Sequence, residues 1–519
     1  MNLLPDRPAV TPSYCCTWNV QNFGRPDAAA ETDPNVFAGQ DGAKKARAFL
    51  NEQNLFGPGG LCDQYAKVRS HLFFLLDDGW DVPYGVHPDT QIERFGSLAL
   101  STERFPSCTG TPAERLRKIG DRLRAAGWRG LGLWVAAQAA GETYETGFLN
   151  EQQSDAYWTE RLRWSAEAGV GYWKIDWGCR QFDPAWHRRV TALRDQYAPG
   201  LWIEHAHPAA APLNHVVFEH GVQVSDGRFG SWTPWPERWG DILRDADVFR
   251  SYDVLAQFSQ VSTLDRLAEL MRRERAAHCI LNCEDEAYLG AALGCALGVM
   301  RSGLCRPIPV FDFDPQGVSR RLCEIDRAVN WQRLAPAFAL RETRSVYASR
   351  TLVTDPYTFR EGETWMLGYL HRTVSQSCPA VVTRDLALRD IDCREADRPL
   401  LAGSLHPNGA VAVAAVPHRC GGVYRTPAVS LTVPVSAPQA PVGLFGRFAE
   451  VTLAFDRPVD GLRVCAQDLA GDTAADVTAR VRVTGNTVVV SGALLDRLSL
   501  DGQPADDQSA PGVLLRLLP

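Results

Sequence analysis

The chain lacks any block of lysine and arginine. Its 519 residues carry a formal net charge of −7 at pH 7. Proteins that bind nucleic acid gather basic residues into a patch or stripe, so nucleic acid is excluded as a partner. No apolar run is long and unbroken enough to span a bilayer, which takes about 20 residues, and no membrane partner is expected. The N-terminus, Met1-Asn-Leu-Leu-Pro-Asp-Arg-Pro, has no basic stretch followed by an apolar one, the pattern of an export signal. The 14 cysteines are scattered from Cys15–Cys16 to Cys465, and only Cys279 and Cys283 are close in a way that suggests a site. No histidine or cysteine cluster completes a zinc pattern, so neither a metal nor another cofactor is expected. The thiols read as reduced and buried, and the expected location is the cytoplasm. Internal repeats and low-complexity tails are absent as well.

Length is ample. At 519 residues two or three domains are expected. The 15 tryptophans suit stacking on sugar rings, although large cores use them too. Up to about residue 340, short apolar runs alternate with amphipathic stretches. Strand candidates are Tyr14–Trp18, His71–Leu76, Gly130–Trp134, Gly171–Asp176, Leu201–His205, Val248–Tyr252, His278–Asn282 and Arg306–Phe311. Helical spacing falls between them, for example in Pro112–Gly127, where Leu116, Ile119, Leu123 and Ala126 share a face. Ala287–Arg301 reads as an apolar helix and Val318–Leu340 as the closing one. The polar segment from Arg25 to Gly60 reads as an irregular insertion of open role. Eight strand–helix units predict an α/β fold, a (β/α)8 TIM barrel over residues 1–342. An open doubly wound sheet would need a glycine-rich phosphate turn after the first strand, and none is there.

After about residue 345 the pattern changes. Short runs of Val, Thr and Ala alternate with polar residues, as in Thr364–Leu370, Gly409–Val416, Val451–Phe455 and Thr487–Val490. This cadence predicts a C-terminal antiparallel β-sandwich region over 343–519. The Pro-rich stretch near 434–441 is a place where it could divide into two subdomains.

Barrel enzymes keep their chemistry at the carboxyl ends of the strands. There the sequence offers Trp18, then Asp77, Asp78 and Trp80, then Trp134, then Lys174, Asp176 and Trp177. Glu204, His205 and His207 follow, then Arg250 and Asp253, and then Asn282, Glu284 and Asp285. In Gly171-Tyr-Trp-Lys174-Ile-Asp176-Trp-Gly178 the lysine and aspartate are two apart and share one face of a strand, so Lys174 is expected beside Asp176, favouring its charged form. Taken singly, each acid could serve as a loop or cap residue, and Asp77-Asp78-Gly79 alone could make a turn. Together, carboxylates, cations and indoles at one mouth make a sugar site.

The run Phe73-Phe-Leu-Leu-Asp77-Asp78-Gly79-Trp80, then Arg104-Phe105-Pro106, Gly127-Trp-Arg-Gly-Leu-Gly-Leu-Trp134 and Lys174-Ile-Asp176 resembles the barrel of α-galactosidase-like glycosidases, the clan of glycoside hydrolase families 27 and 36. The resemblance covers the barrel in order, with a β-sandwich after it. It implies a retaining exo-glycosidase with an oligosaccharide or glycoside substrate. It makes Asp176 the nucleophile, Asp253 the acid/base, and Asp77 and Asp78 ligands of sugar hydroxyls. Trp18, Lys174 and Arg250 would be further sugar contacts. Such an enzyme holds its two carboxyl groups roughly 5–5.5 Å apart.

The pattern departs from the clan in three places. Arg250 lies three residues before Asp253 rather than four, which leaves Asp226 and Glu204 as rivals for the acid/base. The family 27 opening Gly-Trp-Asn-Ser-Trp is here Cys16-Thr-Trp18-Asn-Val. The strand-five region, Glu204-His205-Ala-His207, matches neither galactosidase pattern. Substrate identity is therefore open among α-galactosides, α-N-acetylgalactosaminides, β-L-arabinopyranosides and α-glucans. A carbohydrate-binding barrel without catalysis is the alternative from another class. Assembly into a homo-oligomer is left open.

Overall fold

The computed structural model describes residues 1–28, 39–86, 93–94, 96–143, 146–206, 216–218, 223–224, 235–250, 260–305, 321–358, 373–394, 398–417, 419–420, 423–424 and 429–519. Eight parallel strands close into a barrel: β1 (Tyr14–Cys16), β2 (Phe73–Leu76), β3 (Gly130–Val135), β4 (Tyr172–Ile175), β5 (Trp202–Ala206), β6 (Val248–Arg250), β7 (Ile280–Glu284) and β8 (Ala296–Val299). Closure is direct, since Tyr14 pairs with Phe73 on one side and Gly298 on the other. The strands read as near-continuous apolar runs because helices cover one face and the barrel interior the other. β2, β3 and β4 are buried at every residue.

The outer helices begin where the chain supplies caps. Helix α1 (Trp18–Phe23) follows β1 directly, and α2 (Gly39–Phe49) follows in the 25–60 segment. Helix α3 (Pro112–Ala125) opens with Thr111 accepting from the Glu114 amide while Glu114 reaches back, and Pro112 stands in its first turn. Helix α4 (Glu151–Ala168) is capped the same way by Asn150 and Gln153, and Gly169 ends it in the left-handed region. Asp183 caps α5 (Pro184–Tyr197). Helices α6 (Trp235–Arg244) and α7 (Gln260–Arg273) complete that side. No described helix is long and apolar enough to cross a membrane. Cys15, Cys16, Cys62, Cys279, Cys283 and Cys295 are buried thiols.

The eighth strand corrects the sequence reading. The expected helix Ala287–Arg301 is a shorter helix, α8 (Ala287–Leu293), followed by β8 itself. Gly294 breaks it at φ +67, where a Cβ would lie 2.1 Å from the Phe338 ring, so only glycine fits. A run that is apolar throughout has no period to separate helix from strand. The expected strand Arg306–Phe311 lies outside the described residues, and so does Thr364–Leu370. The closing helix is α9 (Cys323–Trp331), shorter than Val318–Leu340. The 25–60 segment, expected to be irregular, holds α2 and a short helix, Glu52–Phe56.

Beyond the barrel an eight-stranded sheet runs from Val346–Ala348 at one edge to Ala475–Asp476 at the other, and a five-stranded sheet from Arg389–Cys393 to Arg482–Thr484. Most pairings are antiparallel, but three are parallel, including Val411–Val416 with Val442–Gly446. Residues 436–441 cross from the five-stranded sheet to the eight-stranded one. The C-terminal region is tied to the barrel by buried arginines. Arg384 donates to the Leu293 carbonyl at 2.7 Å, where α8 ends, and Arg327 on α9 pairs with Asp468 at 2.8 Å. A hairpin of this region, Leu352–Thr358 and Thr373–Pro379, pairs with Val216–Phe218 from the segment after β5.

Candidate active site

Two layers of polar side chains fill the barrel toward the carboxyl ends of its strands. The lower layer centres on Glu204 of β5. Tyr14 donates to Glu204 Oε1 at 3.1 Å, and Tyr172 and the Asn282 amide donate to Oε2 at 2.7 and 2.5 Å. Asn282 also donates to the Tyr14 hydroxyl at 3.0 Å. Burial pushes the Glu204 carboxyl above its usual range, with Arg250 and Lys174 opposing. Burial likewise keeps the Tyr14 and Tyr172 hydroxyls protonated.

The upper layer holds the residues at the strand ends. Asp176, just past β4, accepts from Arg250 on Oδ1 and from the Trp134 indole N–H on Oδ2, both at 3.0 Å. Arg250 also lies 3.5 Å from Glu284 Oε1. The Lys174 ammonium sits 3.0 Å from Asp77 Oδ2 and 4.0 Å from Glu284 Oε1. Burial disfavours the Lys174 charge, but the Asp77 and Glu284 carboxylates outweigh it and hold the ammonium well above its ordinary value. The Cys16 thiol donates to Asp77 Oδ2 at 3.0 Å. Asp77 Oδ1 accepts the Asp78 amide at 2.8 Å. Asp78 in turn takes Arg47 of α2 on Oδ2, from Nε at 3.0 Å and from the terminal nitrogen at 2.7 Å.

Asp77, Asp78, Trp134, Lys174, Asp176 and Arg250 thus come together, as the sequence reading has them. One pairing differs. Lys174 leans to Asp77 across the barrel, and Asp176 takes Arg250 instead, because Asp176 lies beyond the end of β4 while Lys174 remains within it. Other expected residues serve elsewhere. His205 faces outward, with its Nδ1 2.7 Å from that of His187 on α5 and its Nε2 3.2 Å from Thr191. Alternation on β5 places neighbouring Glu204 inward and His205 outward. Trp80 is fully buried and donates its indole N–H to the Trp134 carbonyl at 2.8 Å, so it is part of the wall rather than a sugar-facing surface. Trp18 begins α1 and is half-buried against the core. Asp253, Asp226 and His207 lie outside the described residues.

Tyr14, Cys16, Arg47 and Tyr172 join the site beyond the residues expected from the sequence. Tyr172 shares a face with Lys174 and Asp176 by simple alternation, and Tyr14 with Cys16, so that period was a usable signal. Arg47 gave none. No group of three or more His, Cys, Asp or Glu side chains among the described residues is arranged to hold a metal ion.

No family model matches the chain, and no curated protein matches it. Solved structures do match it at low identity. One is a GH27 β-L-arabinopyranosidase from Geobacillus stearothermophilus, at 10% identity over 98% of this chain and 97% of that one, with a TM-score of 0.42. Another is an α-galactosidase from Saccharomyces cerevisiae with raffinose, at 11% identity over 98% and 100%, with a TM-score of 0.36. A third is an α-amylase from Geobacillus thermoleovorans complexed with acarbose, at 10% identity over 98% and 99%, with a TM-score of 0.42. At such identities and scores these likenesses assign no residue a role.

Proposed function

We propose that the protein is a glycoside hydrolase, a retaining exo-enzyme that removes an α-galactoside or a stereochemically related sugar. The observation that carries this reading is the setting of Asp176. It stands at the carboxyl end of a barrel strand and is 7% exposed, with one oxygen on Arg250 and the other on Trp134. Two charge-assisted hydrogen bonds favour the ionised form and fix its direction. An ionised, oriented carboxylate is what attack on an anomeric carbon requires. The acid pair Asp77–Asp78 on the other side of the mouth suits binding of sugar hydroxyls.

In this reading Asp176 attacks the anomeric carbon and Asp253, three residues beyond Arg250, protonates the departing glycosidic oxygen. The glycosyl–aspartate ester is then hydrolysed by a water that Asp253 deprotonates. Arg250 steadies Asp176 without giving it a proton, since a guanidinium does not deprotonate near neutral pH. The sugar is held by the second acid pair while the charge on its ring develops.

The test is a panel of 4-nitrophenyl glycosides carrying α-D-galactose, N-acetyl-α-D-galactosamine, β-L-arabinopyranose and α-D-glucose. Asp176→Asn should abolish turnover while the folded protein persists. A 2-deoxy-2-fluoro glycoside of the cleaved sugar should leave a covalent adduct on the peptide containing Asp176. Inverted product configuration, or full activity in Asp176→Asn, would sink the reading. Cleavage of the arabinoside alone would keep the mechanism and change the sugar.

A further inference from the structure

Helix α2 belongs to the 25–60 segment, yet it reaches the acid pair of β2. Arg47 is 3% exposed, and both of its contacts to Asp78 go to one oxygen, Oδ2, at 3.0 and 2.7 Å. Asp78 Oδ1 is buried and has no hydrogen-bond partner among the described residues. Asp77 differs, since its Oδ1 accepts the Asp78 amide and its Oδ2 accepts from Lys174 and Cys16. Three of the four carboxylate oxygens of the pair are therefore engaged within the protein, and no described residue engages the fourth. A buried acceptor left unmet is destabilising unless a ligand brings a donor to it.

The approach of Arg47 is built in. Gly79, at φ +101, leaves the room that its stem occupies, and a Cβ there would lie 2.7 Å from Arg47 Cβ and Cγ. Gln21 on α1 donates to the Asp78 carbonyl at 3.0 Å and to the Ala46 carbonyl at 3.3 Å, clamping α2 to the end of β2. Arg104 donates to the Gly79 carbonyl from the other side. A planar fork that takes one carboxylate oxygen sets the direction of the other.

We propose that Arg47 is a positioning residue of the sugar site: it holds Asp78 by Oδ2 so that Oδ1 accepts a hydroxyl of the bound sugar. This rests on the glycoside hydrolase reading, in which the acid pair faces the sugar. The inserted helix is then part of the substrate site. Burial pushes the Asp78 carboxyl up, and Arg47 opposes that rise. An acceptor of this kind selects a sugar that places a hydroxyl at that point, and it binds the ground state and the transition state alike. Its loss therefore shows in KM more than in kcat.

The experiment measures kcat and KM of wild type, Arg47→Met, Arg47→Lys, Asp78→Asn and the Arg47→Met/Asp78→Asn double variant. The substrate is whichever of the four 4-nitrophenyl glycosides above the wild type cleaves, and thermal unfolding is followed alongside. Arg47→Met should raise KM about tenfold with kcat within about threefold of wild type. The double variant should be no worse than Asp78→Asn, because Arg47 acts through Asp78. Arg47→Lys should recover part of the loss, and should itself show a raised KM if Arg47→Met does not fold. An unchanged KM with only a lowered melting temperature, or multiplicative losses in the double variant, would overturn the proposal. If the wild type cleaves none of the four, the glycoside hydrolase reading fails separately. Calorimetric titration of D-galactose, L-arabinose and D-glucose into wild type and Arg47→Lys then decides. Weaker binding in the variant supports a positioning role, while equal binding, or none by either protein, overturns it.

Discussion

Arg250 and Asp176 meet across the barrel mouth, guanidinium nitrogen to carboxylate oxygen at 3.0 Å, although β5 separates their strands. The same guanidinium lies 3.5 Å from Glu284, so one rigid fork sets two carboxylates at once. Lysine keeps the charge but not the fork. Arg250→Lys is expected to leave Asp176 ionised and misdirected. Turnover should fall about 100-fold, which corresponds to about 2.7 kcal/mol of barrier, with a native-like circular dichroism spectrum. Initial rates on a cleaved 4-nitrophenyl glycoside check this, and a loss of less than threefold would show that charge alone suffices.

Glu204 is a rival for the acid/base role by its place at a strand end, and its surroundings argue the other way. Both oxygens are taken by Tyr14, Tyr172 and Asn282 within the lower layer. Burial raises its pKa, while Arg250, Lys174 and the Tyr172 and Asn282 hydrogen bonds oppose that rise, so Glu204 is held as part of the barrel's inner wall rather than offered to a substrate. Glu204→Gln should keep turnover within about tenfold of wild type, whereas removing a general acid costs about 10²–10⁴-fold. A pH–rate profile settles the assignment: the basic limb of wild type should persist in the variant and vanish in Asp253→Asn.

The closed barrel was legible because strand and helix periods alternate strongly up to residue 293. The acid pair, Trp134, Lys174 and Arg250 were legible because a strand end is a fixed place in this fold. Two things were hidden. At β8 the run from Ala287 to Val299 is apolar throughout, so only the Gly294 break separates helix from strand. At His205 the alternation was there to be read, but the pair His205–x–His207 drew attention to the loop, while its true partner, His187, lies on the preceding helix. Arg47 was hidden for a third reason. It reaches Asp78 from a segment with no strand pattern, and a contact across 31 residues leaves no mark in local spacing.

The buried histidines make stability depend on pH. Burial pushes His187 down to about 4, His71 to about 4 and His406 to about 3, against roughly 6.5 in an unfolded chain. His205 is also held well below its ordinary value, by burial and then by His187. Two imidazoles whose Nδ1 atoms lie 2.7 Å apart cannot both carry a proton there. The unfolded chain therefore binds more protons than the folded one below pH 6.5. Stability is complete above that value and is lost as pH falls toward 4. His187 alone accounts for about 3 kcal/mol of that loss. Urea unfolding at several pH values between 7 and 4.5 should show the fall, and His187→Gln should make it shallower. An identical slope in wild type and variant would place the proton uptake elsewhere.

Trp177 follows Asp176 directly and remains 43% exposed, with its ring centroid 5.7 Å from that of Trp134. Phe148, on the loop after β3, is 47% exposed, with the Arg180 guanidinium 4.2 Å from its ring centre. Both rings sit on loops at the carboxyl end of the barrel, where, in the glycoside hydrolase reading, the leaving group departs from the anomeric carbon of the bound sugar. In that reading an exposed indole beside Asp176 offers a face for that group, and an aromatic pair contributes about 0.5–1.5 kcal/mol beyond area alone. Trp177→Ala is expected to raise KM for a 4-nitrophenyl glycoside about threefold to tenfold and to leave the melting temperature nearly unchanged. The matched methyl glycoside of the same sugar separates the two sides of the scissile bond. It lacks the aryl ring, so its KM should hardly move if Trp177 supports the leaving group. An equal rise for both substrates would put the indole against the sugar being transferred, where its contact with Trp134 would make it part of the wall around Asp176.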